Sequence, residues 1–240
     1  MNDITIICCW NDEYKIKNFE TSLGKQDISC DLIFLDNRKQ RFKSCSEALN
    51  YGLQKVETKY VIFSHQDIYL NSNDTLSCFL SYLNKIKNND ILGVAGAFKE
   101  KNFVKTNIKI GDNEYYGSPY RVEKMEKCFS LDECWFGGYT ERFKKRKFDE
   151  TICDNWHLYA VDQSIYNLIN NYNVYVCDVE LLHHSTGDTN HMYNVGLKKL
   201  CKKYSGKIPA IYTPCCFKCH TNFISRNIYY LKNEIKLLIK

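Results

Sequence analysis

The residues best able to do chemistry in this chain stand where apolar runs give out. In "KYVIFSHQDIYL", Lys59 to Leu70, the apolar Val61, Ile62 and Phe63 give way to His65, Gln66 and Asp67 before apolar character returns. Asn11 and Asp12 follow the first apolar run in the same way, Asp36 follows the second, and His183 and His184 follow the last. Loops beyond the carboxyl ends of parallel strands project side chains without interrupting the ladder, which is why open α/β sheets bind ligands there. A carboxylate beside an imidazole is a pair of ligands for a divalent cation, and such a cation neutralises a bound diphosphate.

The other way to hold phosphate is a glycine-rich loop whose amides point at it. The turn after the first run, "WNDEY", has no glycine, and neither GxGxxG nor GxxxxGK[ST] occurs anywhere. Dinucleotide redox chemistry and P-loop hydrolysis are therefore disfavoured. What remains is a metal-bound diphosphate with Asp67 as the first ligand and His65 beside it.

Rigid elements must carry these side chains. Ile4 to Cys9 reads as a buried strand, Tyr14 to Leu23 as a helix, and Asp31 to Leu35 as a second short strand. In "SCSE" the Ser44 hydroxyl caps a helix while Glu47 reaches back, and Cys45, Leu49, Leu53 and Val56 recur at helical spacing. Lys59 to Ser64 is the third strand, Leu76 to Ile86 a further helix, and "ILGVAGA" a fourth strand. This alternation predicts an α/β fold with a mostly parallel central sheet and helices on both faces. The pattern loosens from Phe98 to Cys128 around Gly111, Gly117 and Pro119. It resumes as a helix over Leu158 to Ile169, a strand over Val174 to Cys177 and a turn at "LLHHSTG". From Asn222 to Lys240, Phe223, Ile224, Ile228, Leu231, Ile235 and Leu238 share one helical stripe, with Arg226, Lys232, Lys236 and Lys240 elsewhere. That segment reads as a helix packed on the domain, or as a basic amphipathic helix resting on an anionic membrane surface or a partner.

With 240 residues and 44% hydrophobic content, the chain can bury one large core. The net charge of +5 favours anionic partners without demanding nucleic acid. The aromatics fall in strand and helix patterns rather than in a basic stripe, so no nucleic-acid groove is predicted. No run reaches the roughly 20 apolar residues of a membrane span, and "MNDITIICCW" lacks the order of a secretory signal. The thirteen cysteines are odd in number and several sit in apolar runs, so reduced thiols and a cytoplasmic location are expected, with peripheral contact at the inner membrane face the alternative.

The order "TIICCWND", "LIFLDN", "SEALNYGLQKVETKYVIFSHQDIYL", "LDECWFGGY", "KFDETICDNWHLYAVDQSIYNLI" and "HHSTG" resembles a family 2 glycosyltransferase of GT-A fold, in the branch that carries "HQD" and "WHLYAVD". The resemblance covers about residues 4 to 187. Its most specific part is "FDE" followed seven residues later by "WHLYAVD". It implies a GT-A domain over 1–205 followed by an extension over 206–240, a nucleoside diphosphate sugar donor, a Mn or Mg ion, and inversion at the anomeric carbon. The acceptor would be a hydroxyl on a glycan, a lipid-linked molecule or a protein.

Carried over by position, Asn11, Asp12, Asp36, Asn50, His65 and Asp67 would hold the donor, Asp36 at the base and ribose. Asp67 would ligate the metal under the diphosphate, with His65 where the family more often has the first Asp of an Asp-x-Asp pair. His184 ranks ahead of His183 as the late histidine near the metal. Many relatives place an acid where Tyr159 and Ala160 stand here, so the base falls to Asp162, with Asp132 and Glu133 as competitors. Gly137 and Gly138 would let backbone approach the sugar, and Trp156 and His157 would shape the acceptor pocket. Two other readings compete: a nucleotidyltransferase of similar sheet, and a module organised by zinc on Cys215, Cys216, Cys219 and His220.

Overall fold

Strand β1 (Ile4–Trp10) leads through helix α1 (Glu13–Leu23) to β2 (Asp31–Asp36), and α2 (Cys45–Leu53) leads to β3 (Tyr60–Ser64). A short β4 (Ile68–Tyr69) precedes α3 (Thr75–Leu83). Next come β5 (Ile91–Gly93), β6 (Ala95–Phe98), β7 (Phe103–Thr106), β8 (Ile108–Ile110), β9 (Glu114–Tyr115), β10 (Glu126–Lys127), β11 (Ser130–Leu131) and β12 (Trp135–Tyr139). The order ends with α4 (Thr140–Lys145), α5 (Tyr159–Ile169), β13 (Val174–Val176), β14 (Leu181–His183), α6 (His191–Lys203), β15 (Ala210–Thr213), β16 (Phe217–His220) and α7 (Phe223–Ile239). The computed structural model describes residues 2–100, 103–110, 114–115, 118–184, 189–215 and 217–239. Gly111, Gly117, the 185–187 part of the expected turn, Cys216 and Lys240 lie outside the described residues.

The central sheet runs β10-β13-β5-β12-β3-β1-β2. β1 is parallel to β2 and β3, and β13 to β5, while β12 lies antiparallel between β3 and β5 and β10 is antiparallel to β13. Five of the seven strands therefore point one way, as the alternation of strand and helix predicts. Because side chains alternate across a strand, each strand feeds two cores. Ile6, Ile62, Leu92 and Trp135 meet Phe19 of α1 and Phe79 of α3 on one face. Ile7, Phe63, Ile91 and Phe136 meet Leu49 of α2, Phe143 of α4 and Tyr159 of α5 on the other. Each such buried side chain stabilises the fold by about 1.5–3 kcal/mol.

The caps follow the sequence closely. Asp12 accepts from the amides of Tyr14 and Lys15 and starts α1. Ser44 accepts from the Glu47 amide, and Glu47 reaches back to the Lys43 amide at 2.7 Å. Elsewhere the structure departs from expectation. "ILGVAGA" is not one strand: the chain leaves the central sheet after Gly93, and Ala95–Phe98 pairs instead with β7 and β11. A wholly apolar run gives no sign of such a break, because both halves are buried. Leu181–His183 is a strand rather than a turn, antiparallel to β4 and parallel to β8. The β15–β16 hairpin adds Ile211 and Cys219 to a third core shared with Val161 of α5 and Leu197 of α6.

Candidate active site

β3 is buried along its whole length and ends on His65, whose amide donates to Cys134 O at 3.0 Å. The chain then turns through Gln66 and Asp67 into β4, which pairs with β14 so that His183 lies opposite Ile68. The His184 amide donates to Asp67 O, closing the same turn. This register brings together side chains more than a hundred residues apart. One ligating atom each from His65, Asp67 and His183 lies within 4.8 Å of the others. His183 Nε2 is 3.1 Å from Asp67 Oδ1, and the two imidazole rings have centroids 5.7 Å apart.

Electrostatics suit a cation site. Burial would raise the Asp67 carboxyl, yet the His183 hydrogen bond and the charges of His183, His65 and Lys15 outweigh it and hold the group well below the usual carboxylate range. Burial, then the charge of His183, depresses the His65 imidazole against the opposing pull of Asp67 and Asp132. The neutral imidazole so favoured is the form that ligates a metal. Lys15, in the first turn of α1, places Nζ 3.3 Å from Asp67 Oδ2 and supplies positive charge at the same spot.

Gln66 joins this cluster to the first strand. Its Oε1 accepts from the amides of both Asn11 and Asn11's neighbour Asp12 at 2.9 Å, and its Nε2 donates to Asn11 Oδ1. Beside this clamp opens a cleft of about 150 Å³, partly open to solvent, lined by Cys9, Trp10, Asn11, Asn37, Gln66 and Trp156. Two indoles and three side-chain amides in its lining supply both stacking surface and hydrogen-bonding groups for a planar ligand. Asp36 sits exposed at the end of β2, bound by Arg38 at 2.6 Å, and that guanidinium lies 4.6 Å from the Trp10 ring.

On the other side of the cluster, His65 Nε2 is 3.1 Å from the Tyr159 hydroxyl, which also reaches Glu133 O at 3.5 Å. The Glu133 Oε1 atom is buried and has no hydrogen-bond partner among the described residues. Burial and the adjacent Asp132 push this carboxyl well above the usual range, against the amides of Leu158 and of Glu133 itself. Leu158, buried and left-handed at φ 69°, makes the abrupt turn between His157 and Tyr159. A leucine held there stores about 1–3 kcal/mol, a strain that packing must offset. The His157 ring meets Tyr193 edge-on at 5.6 Å, and its charge is among those acting on His65.

Several expected site residues make contacts that the sequence does not disclose. His184, just past the end of β14, is exposed beside Tyr69, and His183, the last residue of that strand, takes the place in the cluster. Asp162 is 1% exposed and held by Arg146 at 2.8 Å, by Lys203 at 2.5 Å and by the Tyr204 hydroxyl, so its carboxylate is committed to joining α5 to its neighbours. Asn50 is spent on Phe148 N and O and on Glu150, fixing that loop against α2. Gly137 and Gly138 lie inside β12, where a Cβ on Gly137 would stand 2.2 Å from Val61 O and one on Gly138 2.9 Å from Asp90 O, so close backbone packing requires glycine at both. The Asp12 side chain is a helix cap, and Asn11 is held by Gln66 at the rim of the cleft. Lys15, Gln66, Asn37 and Tyr159 were not foreseen; only the place of Gln66 inside "HQD" could have singled it out. Cys216 of the alternative zinc group lies outside the described residues; among the described residues the cluster of ligand side chains is His65, Asp67 and His183.

Comparison with known proteins gives this geometry a context. A model of a glycosyltransferase-like family matches residues 5–128, just over half of the chain. No curated protein matches. Among solved structures, S. aureus TarS 1-349 in complex with UDP-GlcNAc is 16% identical with a TM-score of 0.56, over 84% of this chain and 66% of that one. The mannosyltransferase PcManGT from Pyrobaculum calidifontis, in complex with GDP-Man and Mn2+, is 13% identical with a TM-score of 0.56, over 90% of this chain and 67% of that one. GalNAc-T7 with UDP, GalNAc and Mn2+ is 9% identical with a TM-score of 0.55, over 85% of this chain and 48% of that one. At such identities the likeness is one of fold, the GT-A type. The chain spans less than two thirds of the TarS fragment and about half of GalNAc-T7.

Proposed function

This chain belongs to the glycosyltransferase-like family, and from that premise we propose that it transfers a sugar from a nucleoside diphosphate sugar to a hydroxyl acceptor, inverting the anomeric carbon. The observation that carries the reading is the convergence of His65, Asp67 and His183 from two distant parts of the sequence at the end of the central sheet. Two imidazoles and a carboxylate fit a divalent ion, and the nitrogen-rich set favours Mn over Mg. Held by His65, Asp67 and His183, such an ion would supply positive charge to offset that on the departing nucleotide. The Mn2+ present with the nucleotides in two of the similar structures supports the same assignment.

The chain's own residues divide the remaining work. The cleft between Trp10 and Trp156 takes the base, and Lys15 contacts the diphosphate beside Asp67. Glu133 takes the proton from the acceptor hydroxyl. Its buried Oε1 has no hydrogen-bond partner among the described residues, which leaves it free to accept from an acceptor hydroxyl, and burial and Asp132 raise its affinity for a proton. Asp132, its neighbour, is held near this position by accepting from the Cys134 amide. His157, next in the chain to Trp156 of the cleft, is the residue for the acceptor side, and a glycan or lipid-linked hydroxyl is the acceptor class. The reaction belongs in the cytoplasm, which agrees with buried free thiols at Cys8, Cys45, Cys128, Cys134 and Cys177.

The test is hydrolysis of a panel of UDP, GDP, CDP and dTDP sugars by the purified chain, with and without Mn. One donor should be turned over in a Mn-dependent way, and Asp67→Asn should reduce that rate at least a hundredfold with an unchanged circular dichroism spectrum. Equal turnover by Asp67→Asn, or none with any donor, sinks the proposal.

A further inference from the structure

Helix α7 is packed with its apolar side outward. Ile224, Ile228, Leu231, Ile235 and Leu238 fall at the i, i+4, i+7, i+11 and i+14 spacing of one helical stripe, and Phe223 and Ile239 extend it. All seven side chains are between 48% and 87% exposed. The opposite face docks on the domain through polar and aromatic groups. Arg226 is buried and donates to Thr221 O at 2.8 Å, Glu234 accepts from His191 and Asn194, and Lys198 lies 4.3 Å from the Tyr230 ring. The orientation is thus fixed by specific contacts with α6, and it leaves a continuous apolar ridge to another partner.

The charges decide which partner. Lys232 and Lys236 are exposed along one edge of the ridge, and the one acidic residue of the helix, Glu234, is turned to α6. A second copy stacked ridge to ridge would bring a second set of lysines and no acidic side chain to meet them. An anionic lipid surface offers acyl chains to the isoleucines and leucines and headgroup charge to the lysines. No described helix is long and apolar enough to cross a membrane. We infer that α7 lies flat in the headgroup layer of an anionic membrane, its 17 residues spanning about 25 Å along the surface. This surface is separate from the sugar-transfer reading and does not depend on it.

Vesicle flotation of the full chain tests the inference. The protein should float with vesicles of phosphatidylcholine and phosphatidylglycerol at 3:1 and not with phosphatidylcholine alone. Lys232→Ala and Lys236→Ala should each weaken binding roughly fivefold. Leu231→Ser with Ile235→Ser should lower it at least tenfold, and because both side chains are exposed the thermal melt should be unchanged. Failure of the unaltered protein to float with the anionic vesicles overturns the inference. So does a concentration-dependent dimer in lipid-free sedimentation that the double serine variant abolishes, which would give the ridge to a second copy.

Discussion

At the scale of single residues, two carboxyls of this site are pushed in opposite directions by their surroundings. Asp67 is held ionised by His183, His65 and Lys15 despite its burial, whereas Glu133 is driven towards its neutral form by burial and by Asp132. Separated in this way, one carboxyl suits a cation and the other a proton. Glu133→Gln should therefore lower transfer by roughly 10²–10⁴-fold, the usual contribution of a general base. The same change should stabilise the protein at neutral pH. A carboxyl whose folded-state pKa is raised contributes its full stability below the unfolded value of about 4.3 and loses it as pH rises through the folded value. Glutamine never incurs that loss, so melts of the variant should exceed those of the unaltered chain at pH 8 and converge with them near pH 4. A lower melt at pH 8 would mean that Glu133 is a structural acceptor whose partner is formed on folding.

At the scale of elements, the boundary between what the sequence discloses and what it hides follows the range of the interaction. Caps at Asp12 and Ser44 and the polar end of β3 are local, and their signals lie within a few residues of their effect. The choice of His183 over His184 is set by pairing with Ile68, 115 positions away in the chain's numbering and absent from any local pattern. The partners of Asp162 are hidden for the same reason: Arg146 and Lys203 lie 16 and 41 residues off, so the sequence does not disclose that its carboxylate holds α5. Asp162→Asn leaves two cations facing a buried neutral amide and should cost about 3 kcal/mol of stability. Transfer per folded molecule should persist, as read by activity normalised to the folded fraction. Loss of activity with an unchanged melt would return the base role to Asp162.

At the scale of the whole molecule, the cluster ties the β3–β4 turn to β14, two segments that otherwise meet through a short ladder. A ligand that binds only where these segments are together stabilises the complete fold by linkage, by about 2.7 kcal/mol at a hundred times its dissociation constant. For a chain of this size that raises the melting temperature by roughly 5–10 °C. Mn should produce such a rise and a chelator should reverse it, in the absence of any sugar nucleotide. His183→Ala should abolish the rise and His184→Ala should leave it intact, because only the first imidazole is directed at Asp67. Since the readout is a melt, it separates the binding of the ion from the chemistry: a rise that survives His183→Ala removes that residue from the ligand set whatever the protein transfers.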